Sequence, residues 1–243
     1  MNIFSFFNTS RVNPITVDIH SHLLPGIDDG VQTLEQSLQI IKKFKLLGYT
    51  KLITTPHIIS DFYPNNKKII TEKLLTLREK LKEEQIDISI EAGAEHYVDM
   101  NFLELIENDE LVTFMDHYVL FETSYTSKPI ILEIVIQELL KKGYIPVLAH
   151  PERYLYLHHD MEAYKKLKAM GVLFQLNIKS LKHNSKQVTK IAKQLVKLGL
   201  VDFIGSDAHR MRDILKVEKI LQSNIYKNML KNNKILNNRA KIK

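Results

Sequence analysis

The 243-residue sequence contains no cysteine. Without a thiol the chain cannot form disulfides, thiolate zinc sites or redox pairs, and it cannot use a cysteine nucleophile. This excludes the hydrolases that proceed through a phosphocysteine intermediate. Any bound metal ion must be held by histidine and carboxylate side chains.

Long apolar runs are also missing from the sequence. No run approaches the roughly 18 apolar residues that a membrane-spanning helix needs. Residues 1–7 are too few for the apolar core of a secretory signal. The sequence therefore predicts a cytoplasmic protein without a membrane span.

Acidic residues are absent from the last 20 positions. The whole chain carries 34 basic and 28 acidic residues, and six of the basic ones lie in residues 224–243. Residues 1–223 are therefore neutral by this count. We predict one domain over 1–223, followed by a basic, weakly packed helix or loose tail over 224–243. A basic end without a basic face gives no support to nucleic-acid binding.

Short apolar runs, partly β-branched, alternate with helical patterns along the chain. Glycine is scarce, and four of the eight glycines (Gly48, Gly143, Gly171 and Gly199) stand between a helical run and the next apolar run, as helix C-caps do. The alternation predicts a parallel β/α barrel, closed or distorted, with an open doubly wound sheet as the alternative. The seven predicted strands are 15–19, 51–55, 88–94, 118–121, 145–149, 172–176 and 201–205.

Histidine or a carboxylate lies at the end of almost every predicted strand, where parallel β/α folds place their sites. Only the sixth strand, which ends in Asn177, offers neither. Asp28 and Asp29 lie in a glycine-flanked loop that can turn back over the same end. In chain order, the residues at the other strand ends are Asp18, His20, His22, His57, Glu95, Glu122, His150, Asp207 and His209.

Imidazole and carboxylate ligands without thiolate suit Mn²⁺, Fe²⁺ or Zn²⁺, and so many ligands could hold two or three ions. His20 and His22 are two residues apart, so on a strand both would point to one side. The other five histidines are predicted to be surface or loop residues: His96, His117, His158, His159 and His183.

Arginines close to two of these residues are candidate phosphate contacts. Arg153 follows His150 by three residues, and a guanidinium there would suit bidentate phosphate binding. The alternative for Arg153 is an ion pair with Glu152 or another loop acid. Arg210 and Arg212, beside His209, are weaker candidates of the same kind.

Six segments, taken in order, resemble the PHP (polymerase and histidinol phosphatase) superfamily, and within it the CpsB-type bacterial tyrosine-protein phosphatases of capsular and exopolysaccharide loci. The resemblance runs from about residue 15 to residue 221. The segments are Asp18-Ile19-His20-Ser21-His22, Gly26-Ile27-Asp28-Asp29-Gly30, Thr55-Pro56-His57, Gly93-Ala94-Glu95, His150-Pro151-Glu152-Arg153 and Ser206-Asp207-Ala208-His209.

The resemblance implies a distorted (β/α)7 barrel that binds three divalent ions, most often manganese. By this resemblance His20, His22, Glu95 and Asp207 would hold the first ion. Glu95 would bridge to a second ion held by Glu122 and His150, and Asp29, His57 and His209 would hold the third. Arg153 matches an arginine that contacts the substrate phosphate. Arg210 stands where asparagine is expected, and Arg212 aligns only loosely with a second arginine.

The function implied is hydrolysis of phosphotyrosine on a protein, with the tail of a bacterial tyrosine kinase that controls polysaccharide export as the expected substrate. Metal coordination lowers the pKa of bound water from about 15.7 towards ~7, which supplies a nucleophile without cysteine. Arg153, His150 and Asp207 are the expected catalytic side chains. Two alternatives remain: a small-molecule phosphatase such as histidinol-phosphate phosphatase, and a PHP module that has become a non-catalytic binding domain.

Overall fold

A computed structural model of the chain describes residues 13–241. Within that range, nine short parallel strands alternate with eight α-helices. The strands are β1 (Val17–Asp18), β2 (Lys51–Thr54), β3 (His57–Ile58), β4 (Ser89–Ala92), β5 (Glu95–Tyr97), β6 (Tyr118–Glu122), β7 (Ile145–Ala149), β8 (Leu173–Asn177) and β9 (Phe203–Gly205). The predicted α/β fold with parallel strands is confirmed.

The helices follow the strands in the order that the sequence pattern predicts. They are α1 (Leu34–Leu46), α2 (Lys67–Glu83), α3 (Met100–Glu107), α4 (Leu132–Lys141), α5 (Met161–Ala169), α6 (Lys186–Lys197), α7 (Met211–Leu221) and α8 (Asn224–Asn232). Four short 3-10 helices occupy Pro151–Arg153, Leu155–Leu157, Ile178–Lys182 and Asn237–Lys241. The four predicted capping glycines all have positive φ, between 68° and 95°, as left-handed C-caps require.

The strands pair in two parallel sheets rather than one. One sheet has the order β1-β2-β4 and the other β3-β5-β6-β7-β8-β9. The division arises because two of the predicted strands, 51–55 and 88–94, resume after a short break at residues 55–56 and 93–94, as β3 and β5. Pro56 has no N–H to give to a ladder, which explains the first break. His57 and Glu95 therefore follow β2 and β4, as expected, and each is also the first residue of a further short strand, β3 or β5.

The helices bury one face against the sheets, as their apolar spacing predicts. In α1 the buried side chains include Leu38, Ile41 and Phe44, and in α2 they include Leu74 and Leu77. Burial of apolar area is the main stabilising contribution to such a fold. These packed layers hold the carboxyl ends of the strands together at one edge.

The C-terminal segment is packed more closely than its composition predicts. It forms α8 and a 3-10 helix, with Tyr226 and Met229 buried. Asn237 is fully buried, and its Nδ2 donates to the backbone carbonyls of Val17 and Ile204 at 2.9 and 2.7 Å. The expectation of a loose tail was therefore wrong for residues 224–241. A domain boundary at residue 223 stays a prediction, and residues 1–12, 242 and 243 lie outside the described range.

Among residues 13–241, no helix combines the length and the apolar character needed to cross a bilayer. The segment 1–7, which was weighed as a signal sequence, lies outside the described residues. The cytoplasmic location stays a prediction.

A candidate metal centre at the carboxyl ends of the strands

All nine predicted ligand side chains meet at the carboxyl-terminal edge of the strands. Six of them are buried, with Asp29, His57 and His209 nearer the opening. Three groups have ligand atoms within 4.8 Å of one another: His20, His22 and Glu95; His57, Glu95 and Glu122; and His22, Asp29, His57 and His209. The structure thus brings the nine predicted residues together, in groups that differ in part from those of the sequence analysis.

The first group surrounds one carboxylate oxygen of Glu95. The Nε2 atoms of His20 and His22 lie 3.1 and 3.4 Å from Glu95 Oε2. The same two nitrogens lie 3.8 and 3.6 Å from Asp207 Oδ1. These four side chains are the set that the resemblance assigns to the first ion.

The second group uses the other side of Glu95. His150 Nε2 lies 2.9 Å from Glu95 Oε1 and 3.9 Å from Glu122 Oε2. His57 joins this group, because its Nδ1 is 3.0 Å from Glu122 Oε1 and 3.3 Å from Glu95 Oε2. Glu95 is thus shared between two groups, as a bridging ligand would be.

The third group stands at the opening of the site. Asp29 Oδ1 lies 3.5 Å from His57 Nε2 and 3.3 Å from His209 Nε2. The ring of His22 stacks on that of His209, with centroids 3.9 Å apart. His57 presents one nitrogen to this group and the other to the second group, so it lies between the two.

Neighbouring acceptors, two side chains and one backbone carbonyl, hold three of these imidazoles with Nε2 towards the centre. His20 Nδ1 lies 2.7 Å from Gln175 Oε1, and His22 Nδ1 lies 2.8 Å from Asp28 Oδ2. His209 Nδ1 lies 3.1 Å from the backbone carbonyl of Asp207. In each case the partner is an acceptor, so Nδ1 carries a proton and Nε2 is the nitrogen left to bind a metal ion.

Backbone geometry brings these side chains together. His150 and Asp207 both adopt positive φ, 33° and 47°, which is strained for a residue with a side chain. Asp18 supports the second of these turns, because its carboxylate accepts hydrogen bonds from the Ser206 N–H and hydroxyl, both at 2.8 Å. Asp18 therefore supports the site through Ser206 without facing it. A side chain at Gly205 would place its Cβ 2.6 Å from that of His20, so only glycine fits there.

Opposite charges decide the ionisation of the buried acids and bases. Burial alone would lower the pKa of His22, but the Asp28 carboxylate raises it to about 9. Burial alone would raise the pKa of Glu95, but His20 and His57 hold it well below its ordinary value. Glu95 is therefore ionised, the form in which a carboxylate binds metal ions, and cations entering the site would displace the proton of His22.

Unsatisfied nitrogens of two of the nine side chains also fit a metal centre. The Nδ1 atoms of His57 and His150 are buried and make no hydrogen bond of good geometry within residues 13–241. Buried polar atoms are nearly always satisfied, and His57 Nδ1 faces the carboxylates of Glu95 and Glu122, where a cation would be its partner. Nitrogen and oxygen ligands without sulfur suit Mn²⁺, Fe²⁺ or Zn²⁺.

Arg153 lies at the rim and pairs with a site carboxylate. Its Nη1 is 3.2 Å from Asp207 Oδ2, and its guanidinium lies 4.6 Å from the ring centroid of Tyr125. The expected alternative partner, Glu152, is fully buried and accepts instead from the Asn177 N–H at 3.1 Å. The guanidinium thus lies over the site and pairs with Asp207, not with Glu152 of its own loop.

Arg210 and Arg212 also reach the rim, where both side chains are exposed. They line a cavity of about 250 Å³ with Arg153 and Lys179. Lys179 was not predicted. Its Nζ donates to the Asp207 carbonyl and lies 3.4 Å from Asp213 Oδ1. Little in the sequence points to Lys179, since it follows the strand that ends without a histidine or acid.

Two of the five remaining histidines are not where the sequence analysis places them. His96 is fully buried, its ring stacked on Phe102, and burial lowers its pKa to about 4. His158 is also buried, with its Nε2 2.9 Å from the Glu152 carbonyl. Both were predicted to be surface or loop residues, and the error arose because neither stands in an apolar pattern. His159 and His183 are exposed, as expected.

Comparison with known proteins adds a family to this geometry. The family model described as "Capsular polysaccharide synthesis, CpsB/CapC" matches residues 16–240. Tyrosine-protein phosphatase CpsB of Streptococcus pneumoniae is 30% identical over 202 residues, covering 80% of this chain and 83% of that protein. Tyrosine-protein phosphatase YwqE of Bacillus subtilis is 29% identical over 198 residues, covering 81% of this chain and 78% of that protein.

The fold agrees with a solved structure from the same group. A crystal structure from work on YwqE of Bacillus subtilis and CpsB of Streptococcus pneumoniae, which it calls metal-dependent tyrosine phosphatases, matches with a TM-score of 0.78 at 26% identity. The match covers 90% of this chain and 96% of that one. The similarity therefore extends over the whole fold.

Proposed function

Because the chain belongs to the CpsB/CapC family of capsular polysaccharide synthesis, we propose that it is a metal-dependent phosphatase that hydrolyses phosphotyrosine in proteins. The observation that carries the proposal is the convergence of nine imidazole and carboxylate side chains beside an arginine, in a fold without cysteine. The curated relatives are named as tyrosine-protein phosphatases.

We infer that the two sheets are parts of one distorted seven-stranded barrel. β3 continues the line of β2 and β5 that of β4, so the nine strands make seven passes. Beyond the ends of β1 and β9, Ser21 and Ala208 form a parallel bridge. The Asp207 N–H donates to the His20 carbonyl at 2.8 Å, and the His22 N–H to the Ala208 carbonyl at 3.0 Å. Slow hydrogen exchange at these two amides would support closure.

We propose three divalent ions, with manganese the first choice and iron or zinc the alternatives. The first would lie between His20, His22, Glu95 and Asp207, and Glu95 would be shared with the second. The remaining sets of donors are Glu122 with His150, and Asp29 with His57 and His209. Two ligand sets that share a carboxylate favour a multinuclear centre over isolated ions.

Ions bound there would supply an activated water and would neutralise charge on the phosphoryl oxygens. Arg153 would bind two of those oxygens through its planar fork. Burial opposes the charge on Asp207, but Lys179 and His20 hold its pKa well below the ordinary value. Asp207 therefore serves as an ionised ligand and a partner of Arg153, not as the acid that protonates the leaving group.

The leaving group places a modest demand on the site. A tyrosine oxygen has a pKa near ~10, so one protonated neighbour or contact with an ion suffices. His150 lies on the same side as Arg153 and Tyr125, but burial and the charge of Arg153 lower its pKa, and its Nε2 is assigned to the second ion. We therefore propose that contact with an ion would stabilise the leaving tyrosine oxygen.

The rim favours a protein substrate over histidinol phosphate. A small amino alcohol phosphate would need a free acidic partner for its amine, whereas four rim side chains, Arg153, Lys179, Arg210 and Arg212, are cationic. The acids of the same cavity already have partners: Asp29 pairs with His57 and His209, Asp207 with Arg153, and Asp213 with Lys179. We propose a phosphoprotein as the substrate, with the phosphorylated tail of a bacterial tyrosine kinase as the first to examine. All nine ligand positions carry His, Asp or Glu, which argues against a non-catalytic module.

The test is hydrolysis of a phosphotyrosine peptide and of histidinol phosphate by the same Mn²⁺-loaded preparation. We expect a kcat/KM at least about tenfold higher for the peptide, which corresponds to 1.4 kcal/mol of transition-state binding. Preference for histidinol phosphate would replace the proposal by its rival. Failure to hydrolyse either, with ions bound, would leave the non-catalytic module.

A further inference from the structure

A row of lysines lines a groove beside α6, outside the candidate metal centre. Lys186, Lys190, Lys193 and Lys197 are spaced by four, three and four residues, which puts them on one face of the helix. Lys182 and His183, in the turn before α6, extend the row. These six residues, with Leu181, Thr189 and Gln194, enclose about 660 Å³, and we call this surface the α6 lysine groove.

The lysines of the groove are not needed for packing. The opposite face of α6 carries the buried side chains, including Val188, Ile191 and Leu195. All five lysines of the groove are exposed. Their side chains are therefore free to contact another molecule.

The groove also lacks counter-charges. None of its lysines forms an ion pair in residues 13–241, and residues 1–12, 242 and 243 contain no Asp or Glu. The neighbouring helix α5 shows the contrast, since Lys165 pairs with Glu162 and Lys166 with Glu133. Five unpaired cations in a concave surface create a positive potential that attracts anions.

The groove is continuous with the catalytic rim. The 3-10 helix Ile178–Lys182 carries Lys179, which lines the catalytic cavity, and Lys182, which lines the groove. The 3-10 helix Pro151–Arg153 packs against α6. Burial lowers the pKa of His183, and the positive charge of Arg153 lowers it further, so that charge is felt at the mouth of the groove.

We propose that the α6 lysine groove binds an acidic stretch of the substrate polypeptide next to the phosphotyrosine. The inference rests on the proposed function and adds to it a class of substrate: phosphoproteins in which Asp, Glu or further phosphotyrosines flank the target residue. The 12 residues of α6 span roughly 18 Å at about 1.5 Å per residue. An extended peptide of about five or six residues covers that length.

A polypeptide fits this surface better than a bilayer does. The lysines form a single row along α6, beside the 3-10 helix that carries Lys179, which matches a narrow acidic chain leading away from the phosphotyrosine better than the broad charge of a lipid surface. The 3-10 helix that carries Arg153 packs against α6, so an acidic flank bound in the groove would hold the phosphotyrosine near Arg153. Electrostatic attachment of this kind acts mainly on the encounter rate and is weakened by salt.

The test compares two phosphotyrosine peptides that differ only in their flanks, one with Glu and one with Gln. The variant Lys190→Gln/Lys193→Gln/Lys197→Gln should raise KM for the acidic peptide about five- to tenfold at low salt, as the loss of several exposed ion pairs predicts. The neutral peptide and p-nitrophenyl phosphate should be unaffected. The matched control is Lys227→Gln/Lys231→Gln/Lys234→Gln, which removes the same charge from the C-terminal segment.

Equal losses in the two variants would attribute the effect to net charge and overturn the groove. Equal turnover of both peptides by the unaltered protein would also overturn it, while leaving the phosphatase proposal intact. If the unaltered protein turned over no phosphotyrosine substrate, the phosphatase proposal would be refuted instead. Fluorescence anisotropy measures binding of an unphosphorylated acidic peptide to the groove independently of turnover. Groove-dependent binding to phosphatidylserine vesicles, without binding to that peptide, would replace the polypeptide with a membrane.

Discussion

The guanidinium of Arg153 lies 3.2 Å from the carboxylate of Asp207, across 54 residues of sequence. A candidate phosphate-binding cation is thereby held beside a candidate metal ligand. Phosphate entering the site would compete with Asp207 for the guanidinium. Arg153 could then bind the substrate while its side chain stays at the rim.

Replacing Arg153 by Lys should lower kcat/KM for p-nitrophenyl phosphate by about 100-fold, because an ammonium cannot form the two parallel bonds of a guanidinium. Metal content, measured by mass spectrometry, should not change. Arg239→Lys, at an exposed position in the C-terminal segment, is the control. Normal kinetics in Arg153→Lys would remove this arginine from the mechanism.

Substitution of His150 by Ala should reduce turnover at least about 1,000-fold, because the substitution takes away a ligand and its neighbour Glu95 loses a partner at 2.9 Å. Circular dichroism should show that the protein stays folded. His159→Ala, on the exposed surface nine residues later, should behave like the unaltered protein. Substantial activity in the His150 variant would mean that the centre works without it. The substitution Asp207→Asn should have the same effect as His150→Ala.

Changing Asp28 to Asn should weaken metal binding about 10- to 100-fold, since its carboxylate orients His22 through a 2.8 Å contact. Activity should then return when Mn²⁺ is supplied in excess, and a metal titration would measure the shift. Asp61→Asn, at an exposed position, is the matched control. A loss that excess Mn²⁺ does not reverse would argue against an orienting role.

Removal of ions by a chelator should lower the melting temperature as well as abolish activity. At 100 times its dissociation constant a ligand adds about 2.7 kcal/mol, or roughly 5–10 °C for a chain of this length. Differential scanning fluorimetry with and without chelator measures the change, and added Mn²⁺ should restore both properties. An unchanged melting temperature would mean that the clustered side chains bind no ion.

Asn237→Ala should destabilise the fold by about 2–4 kcal/mol, because buried carbonyls of Val17 and Ile204 would lose their donor. The Ile204 N–H would also lose its acceptor, Asn237 Oδ1. Urea denaturation followed by circular dichroism gives the change in the free energy of unfolding. Asn228→Ala, exposed on α8, should have little effect. Equal stability of the two variants would show that the C-terminal segment is peripheral after all.

Much of the fold could be predicted because it depends on local patterns. Apolar runs, helical spacing and glycine caps gave the strands and helices in order, and the helix-capping glycine positions were right. The two interruptions were missed, although Pro56 was a visible signal for one of them. The C-terminal segment was misjudged because its composition is polar. Its Asn237 is nevertheless buried, because it bonds to β1, 220 residues earlier in the chain, and to β9.

The sequence by itself determined which side chains could form the centre, since parallel strands carry the residues at their ends to one edge whatever the details of packing. Only the tertiary structure decided how those side chains are grouped and supported. Gln175 against His20, separated by 155 residues, and Lys179 against Asp207 are contacts between distant segments, and no local pattern encodes them. The physical reason is that backbone propensities act over a few residues, whereas a ligand's partner is set by which strands become neighbours.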